Sequence, residues 1–133
     1  MFRIVALPGE TVALQNGTVI VDGKPFGRTR SGGTYSTKWA RDLPRWTETT
    51  PEGRRYTVIG SIGAPDKARF DNLAELKVPA NAYFVLGDNR HNAADSRFPD
   101  MLEGTFVNRE NLVGRIAVVS VSRDLARIGT RPD

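Results

Sequence analysis

Cysteine is absent from the 133 residues, and there is a single histidine, His91. The first absence excludes a disulfide scaffold, a thiol nucleophile and a cysteine-ligated metal site. The second excludes a metal centre built from several histidines. Long apolar runs are also missing. The longest, Tyr83–Leu86 and Ile116–Val119, fall far short of the ~20 residues a membrane helix needs. No charged stretch followed by an apolar run of signal-peptide length opens the chain. As it stands, the sequence reads as neither anchored nor exported. Lysine is scarce. Lys24, Lys38, Lys67 and Lys77 are the only four, so the formal net charge of +4 rests on arginine. All four lie in polar or turn-rich contexts, and none reads as a desolvated base. A small positive charge spread along the chain is a weak signal for an anionic partner, and nucleic acid is not the expected one.

What is present points to one domain, 1–133, that is mostly β. Arg3–Leu7 is an apolar run stopped by Pro8-Gly9. Thr11–Leu14 and Thr18–Val21 flank Asn16-Gly17, a dipeptide whose tolerance of positive φ suits a type I′ hairpin. Asp22-Gly23 turns the chain again before Lys24-Pro25-Phe26, completing a meander. Residues 27–76 read as a loop-rich peripheral excursion. Within it we expect a short strand around Trp46, a strand at Tyr56–Ile59, breakers at Gly63 and Pro65, and a brief helix at Asn72–Leu76. Trp39 and Trp46 are expected to pin the excursion to the body rather than to stack bases. Tyr83–Leu86 is a buried strand, Phe106-Val107 a short one and Asn108–Asn111 a helical turn. The β-branched run Leu112–Val121 is expected to be the last core strand, followed by a frayed basic tail.

One segment carries more information than its neighbours. Strand Tyr83–Leu86 runs into Gly87-Asp88-Asn89-Arg90-His91-Asn92-Ala93-Ala94-Asp95-Ser96-Arg97. Asn and Asp side chains bond to nearby backbone and build a rigid polar loop without an apolar core. Asp95 and Arg97, two apart, point the same way in extended chain and are placed to pair across Ser96. The residues alone leave alternatives open. The segment reads as an ordered connection or as a site. His91 is a solvated loop histidine or a base for Ser96. Asp88 and Asp95 are a carboxylate pair, or Asp95 belongs to Arg97.

The Gly-Asp-Asn-Arg-x-Asn-x-x-Asp-Ser-Arg pattern at 87–97 resembles the C-terminal signature of type I signal peptidases. Residues 3–10, Arg-Ile-Val-Ala-Leu-Pro-Gly-Glu, are similar to that family's Pro-Gly-Glu/Asp box, and Asn111–Arg115 resembles its stretch before the last long strand. The likeness covers roughly residues 2–120, in order. It implies an antiparallel β-domain and a membrane-bound serine endopeptidase, free of cofactor and metal. Such an enzyme removes signal peptides from exported pre-proteins on the outer face of the cytoplasmic membrane, using a serine nucleophile and a lysine base. The implied partners are a signal-peptide-bearing pre-protein and, through an N-terminal anchor absent from this sequence, the membrane. The family's serine segment lies upstream of the Pro-Gly-Glu box and is likewise absent from the residues given.

The family's lysine position falls on Phe2. Arg3 leaves the opposite face of the strand and keeps its proton at any workable pH. Ala93 stands where the family usually has a serine that helps position the lysine. No catalytic residue is therefore assigned. Gly87, Asp88, Asn89, Asn92, Asp95, Ser96 and Arg97 are expected to serve as structural support, and the chain as given is expected to be inactive. The competing expectation is a non-catalytic basic β-module that binds an extended peptide or an anionic partner.

Overall fold

The computed structural model describes residues 1–36, 38, 40–62, 71–99, 104–122 and 125–132. Its first strands follow the turn chemistry. β1 (Phe2–Ala6), β2 (Thr11–Gln15), β3 (Thr18–Val21) and β4 (Lys24–Pro25) are separated by short turns. Asn16 and Gly17 sit at φ 49 and 74, and Asp22 and Gly23 at φ 48 and 72. Both pairs have the positive φ that matches the right-handed twist of flanking strands.

Residues of the peripheral excursion add β5 (Gly27–Tyr35), β6 (Leu43–Thr49), β7 (Arg55–Ile59) and β8 (Leu73–Lys77). The strand foreseen around Trp46 is β6, and it does not stand alone: it is the middle of a three-stranded sheet, β5-β6-β7. Trp46 packs against the core and donates from Nε1 to the Gly60 carbonyl at 2.9 Å. Trp39, Gly63, Pro65 and Lys67 lie outside the described residues.

β9 (Ala82–Gly87) and β10 (Val107–Asn108) complete the strands, and a 3-10 helix follows at Arg109–Asn111. Two further sheets result, β1-β9-β10 and β4-β3-β2-β8. The fold is mostly antiparallel β, and among the described residues its three sheets do not close into a barrel. Val5, Ala6, Val12, Leu14, Val19, Tyr56, Val58, Phe84 and Leu86 from all three sheets meet in one core.

Two expectations are corrected. Asn72–Leu76 is not helical; residues 73–77 are β8, paired with β2. Leu73 and Leu76 suggested a helical face because they are three apart. In the structure Val12 pairs with Leu76 and Leu14 with Leu73, so a bulge inserts one extra residue into β8 and keeps both leucines beside the core. A five-residue helix has little stability of its own, and pairing overrides it. The second correction concerns Leu112–Val121. It forms no strand, and nearly all of it is exposed. Its composition suits a sheet interior, but no neighbouring strand receives it.

Candidate functional site

The site forms where β9 leaves its sheet. In the β1–β9 register, Phe2 stands opposite Gly87. A Cβ on Gly87 would fall 2.2 Å from the Cβ of Ala93, so the loop doubles back with Ala93 against Gly87. Phe2, Gly87 and Ala93, far apart in sequence, thus share one spot. Phe2 is 57% exposed there. Gly87→Ala is expected to destabilise the fold by about 1–3 kcal/mol through overpacking. A lowered urea midpoint would show it, and adding Ala93→Gly should recover most of the loss.

Alternation along β1 sends Arg3 to the other face. Its Nε and Nη2 donate to the two Asp88 carboxylate oxygens, each at 3.1 Å. The guanidinium carbon lies 4.0 Å from the centre of the Tyr56 ring, a cation–π contact. Burial, then the neighbouring Glu48 charge, raises the Tyr56 hydroxyl well above the usual phenol range.

Asp95 is fully buried and closes the far end of the loop. Its Oδ2 accepts from the Gly87 N–H at 2.9 Å and from Arg97 Nη2 at 2.8 Å. Its Oδ1 accepts from Arg97 N–H and Nε at 3.1 and 2.8 Å. The Asp95–Arg97 pair foreseen from spacing is present, and Asp95 is not half of a carboxylate pair with Asp88. Arg97 also donates to the Arg90 carbonyl at 3.0 Å and lies 3.9 Å from Asp71. The Ser96 hydroxyl, fully buried, accepts from the Val85 N–H at 3.0 Å, and Ser96 N–H donates to the Val85 carbonyl. No hydrogen bond joins Ser96 to His91 among the described residues; His91 Nδ1 is buried and unpartnered there.

The asparagines act through backbone. The Asp88 carbonyl accepts from Ile59 N–H, and Arg90 N–H returns to the Ile59 carbonyl, both at 2.8 Å, around a parallel bridge between Ile59 and Asn89. Asn92 N–H donates to the Asn89 carbonyl at 3.2 Å. The Asn89 side-chain oxygen is buried and, among the described residues, accepts nothing.

Sequence reasoning missed the strongest tether. Arg90 donates from Nη1 to Glu48 Oε1 at 2.8 Å and from Nη2 to Oε2, while its Nε donates to the Gly87 carbonyl at 3.2 Å. Both side chains are almost wholly buried. Glu48 lies in β6, so this pair fastens the loop to the third sheet. The available signal was a carboxylate two residues from Trp46 in a strand, on the face that Trp46 turns toward the core.

Lys24, Lys38 and Lys77 are exposed. Among the described residues no three His, Asp or Glu side chains gather to hold a metal, and no helix is long and apolar enough to cross a membrane. A groove of about 610 Å³ runs beside β1, walled by Arg3, Val5, Val21, Phe26, Arg55 and Tyr56 among others.

The family described as signal peptidase, peptidase S26, matches residues 2–121. Signal peptidase I of Rickettsia canadensis (strain McKiel) is 32% identical over 116 residues, covering 85% of this chain and 42% of that protein. Signal peptidase I of Rickettsia typhi (strain ATCC VR-144 / Wilmington) gives the same identity and coverage, 32%, 85% and 42%. Signal peptidase I of Rickettsia felis (strain ATCC VR-1525 / URRWXCal2) is 30% identical over 123 residues, 90% of this chain and 44% of that protein. The chain therefore spans about two-fifths of the length of these curated relatives. No solved structure matches it.

Proposed function

The chain belongs to the signal peptidase family, peptidase S26, and on that footing we propose that it is the β-scaffold of a signal-peptide-processing serine endopeptidase whose base position holds Phe2. The observation that carries this reading is the β1–β9 register, with Phe2 across from Gly87 and Ala93 packed behind it. Acyl transfer by a serine without histidine needs an amine desolvated enough to accept the hydroxyl proton. A benzyl side chain has no proton site. The described lysines are exposed, so none replaces it.

The surrounding residues act as supports. Asp95 and Arg97 fix the loop end, Ser96 fastens it to β9, and Asp88, Asn89 and Asn92 hold its near half through backbone. Such supports keep a site rigid whether or not the reacting groups are present. The substrate class is an extended segment of an exported pre-protein, at the outer face of the cytoplasmic membrane. The groove beside β1 suits a peptide added as a strand.

The purified chain, incubated with a signal-peptide-bearing pre-protein, is expected to show no cleavage above a protease-free blank while binding a peptide ending in Ala-x-Ala. Processing at a measurable rate would overturn the assignment of Phe2. Absence of peptide binding would remove the substrate-groove part of it.

A further inference from the structure

Two apolar strand surfaces in this chain lack neighbours. The first is the run 112–121. Val113 and Val121 are 104% and 86% exposed, and Ile116 and Val118 about half. Leu112 N–H donates to the Arg109 carbonyl at 3.1 Å and Val119 N–H to the Thr130 carbonyl at 2.9 Å; between them, among the described residues, no backbone hydrogen bond is made. The run has no proline and no carboxylate, and Arg115 is its only charge. Charges, prolines and bulges are the usual protection against strand addition, and here they are nearly missing. The second surface is β1. It ends its sheet, and Met1, Phe2 and Ile4 are 54%, 57% and 40% exposed along it.

We propose that a second copy of this chain supplies both neighbours: residues 112–121 of each copy add, antiparallel, to the open edge of β1 in the other. The side-chain patterns match. Phe2 and Ile4 lie two apart on one face of β1, and Ile116 and Val118 lie two apart in the run, so pairing Phe2 with Val118 and Ile4 with Ile116 stacks apolar on apolar. The same register sets Arg115 opposite Val5 rather than opposite Arg3, whose guanidinium already holds Asp88. A register shifted by two residues would oppose the two arginines and lose Ile4 to Gly114. Within one copy, the run departs beside β10, at the far end of the β1-β9-β10 order, ~10 Å from β1 across two strand spacings. Each copy both gives and receives a strand, so the assembly closes at two by a two-fold axis.

The test is light scattering over a dilution series, with hydrogen exchange on the same samples. We expect a mass twice the 14.6 kDa of the chain, falling to one on dilution, with amides 113–119 slowed in the dimer and fast in the monomer. The variant Ile116→Lys with Val118→Lys changes only exposed positions and should keep the thermal midpoint of the diluted wild type while remaining monomeric at every concentration. A monomer throughout would overturn the proposal, as would a dimer that survives both substitutions or an assembly that grows beyond two. A monomer with slow amides at 113–119 would place the strand in its own copy and overturn it too. Dimer and substrate strand compete for the same edge. Peptide binding without a dimer therefore removes this inference and leaves the proposed function standing.

Discussion

Glu48→Gln is expected to destabilise the fold by about 3–5 kcal/mol, because it leaves the Arg90 guanidinium buried without its counter-charge. Arg90 side-chain exposure is 3% and that of Glu48 is 2%, so water cannot take over. The total stability of a domain this size is only about 5–15 kcal/mol. Urea unfolding followed by circular dichroism reads the loss directly. A second variant separates the pair's net worth from the cost of breaking it. Replacing Glu48 and Arg90 together by leucine removes both charges and is expected to recover most of the stability, since apolar replacement of an entire buried ion pair is often neutral or better. A double variant as unstable as Glu48→Gln would show that the hydrogen bond from Arg90 Nε to the Gly87 carbonyl, rather than the ion pair, holds the loop.

Asp95→Ala is expected to cost a similar amount, about 3–5 kcal/mol, from uncompensated buried charge on Arg97. Four hydrogen bonds end on this one carboxylate. Without it, Arg97 keeps only the Arg90 carbonyl and the distant Asp71, and the Gly87 N–H loses its acceptor. Hydrogen exchange at the Gly87 amide gives a local readout, and it should accelerate along with the fall in unfolding midpoint. Asp95→Asn retains an acceptor for Gly87 and should cost less. The two sites share Gly87, whose carbonyl serves Arg90 and whose N–H serves Asp95. Their combined effect should fall short of the sum by about 0.5–3 kcal/mol, the range for residues in one network.

These contacts also explain which parts of the molecule can be read from the chain. Asn16-Gly17 and Asp22-Gly23 are legible because a type I′ turn is decided by the two residues that form it. The Asp95–Arg97 pair is legible because its members are two residues apart. Arg90 and Glu48 are 42 residues apart, and Arg3 and Asp88 are 85 apart. No local rule joins them; only the stacking of three sheets does. β8 is misread as a helix because a bulge gives Leu73 and Leu76 helical spacing. Leu112–Val121 is misread as a core strand because β-branched composition states what a segment needs and not whether a neighbour is there to meet it. The mostly antiparallel β architecture survives such local misreadings, since it rests on many turns and alternations that agree with one another.

The loop at 87–97 is bolted to β9 by Ser96, to β7 by Ile59 and to β6 by Glu48. Substitutions there are thus exposed to selection for an intact protein even in a lineage where the reaction no longer matters. Recognising this string in an uncharacterised genome certifies architecture first. Whether the owner can hydrolyse anything has to be read at the position across from its opening glycine.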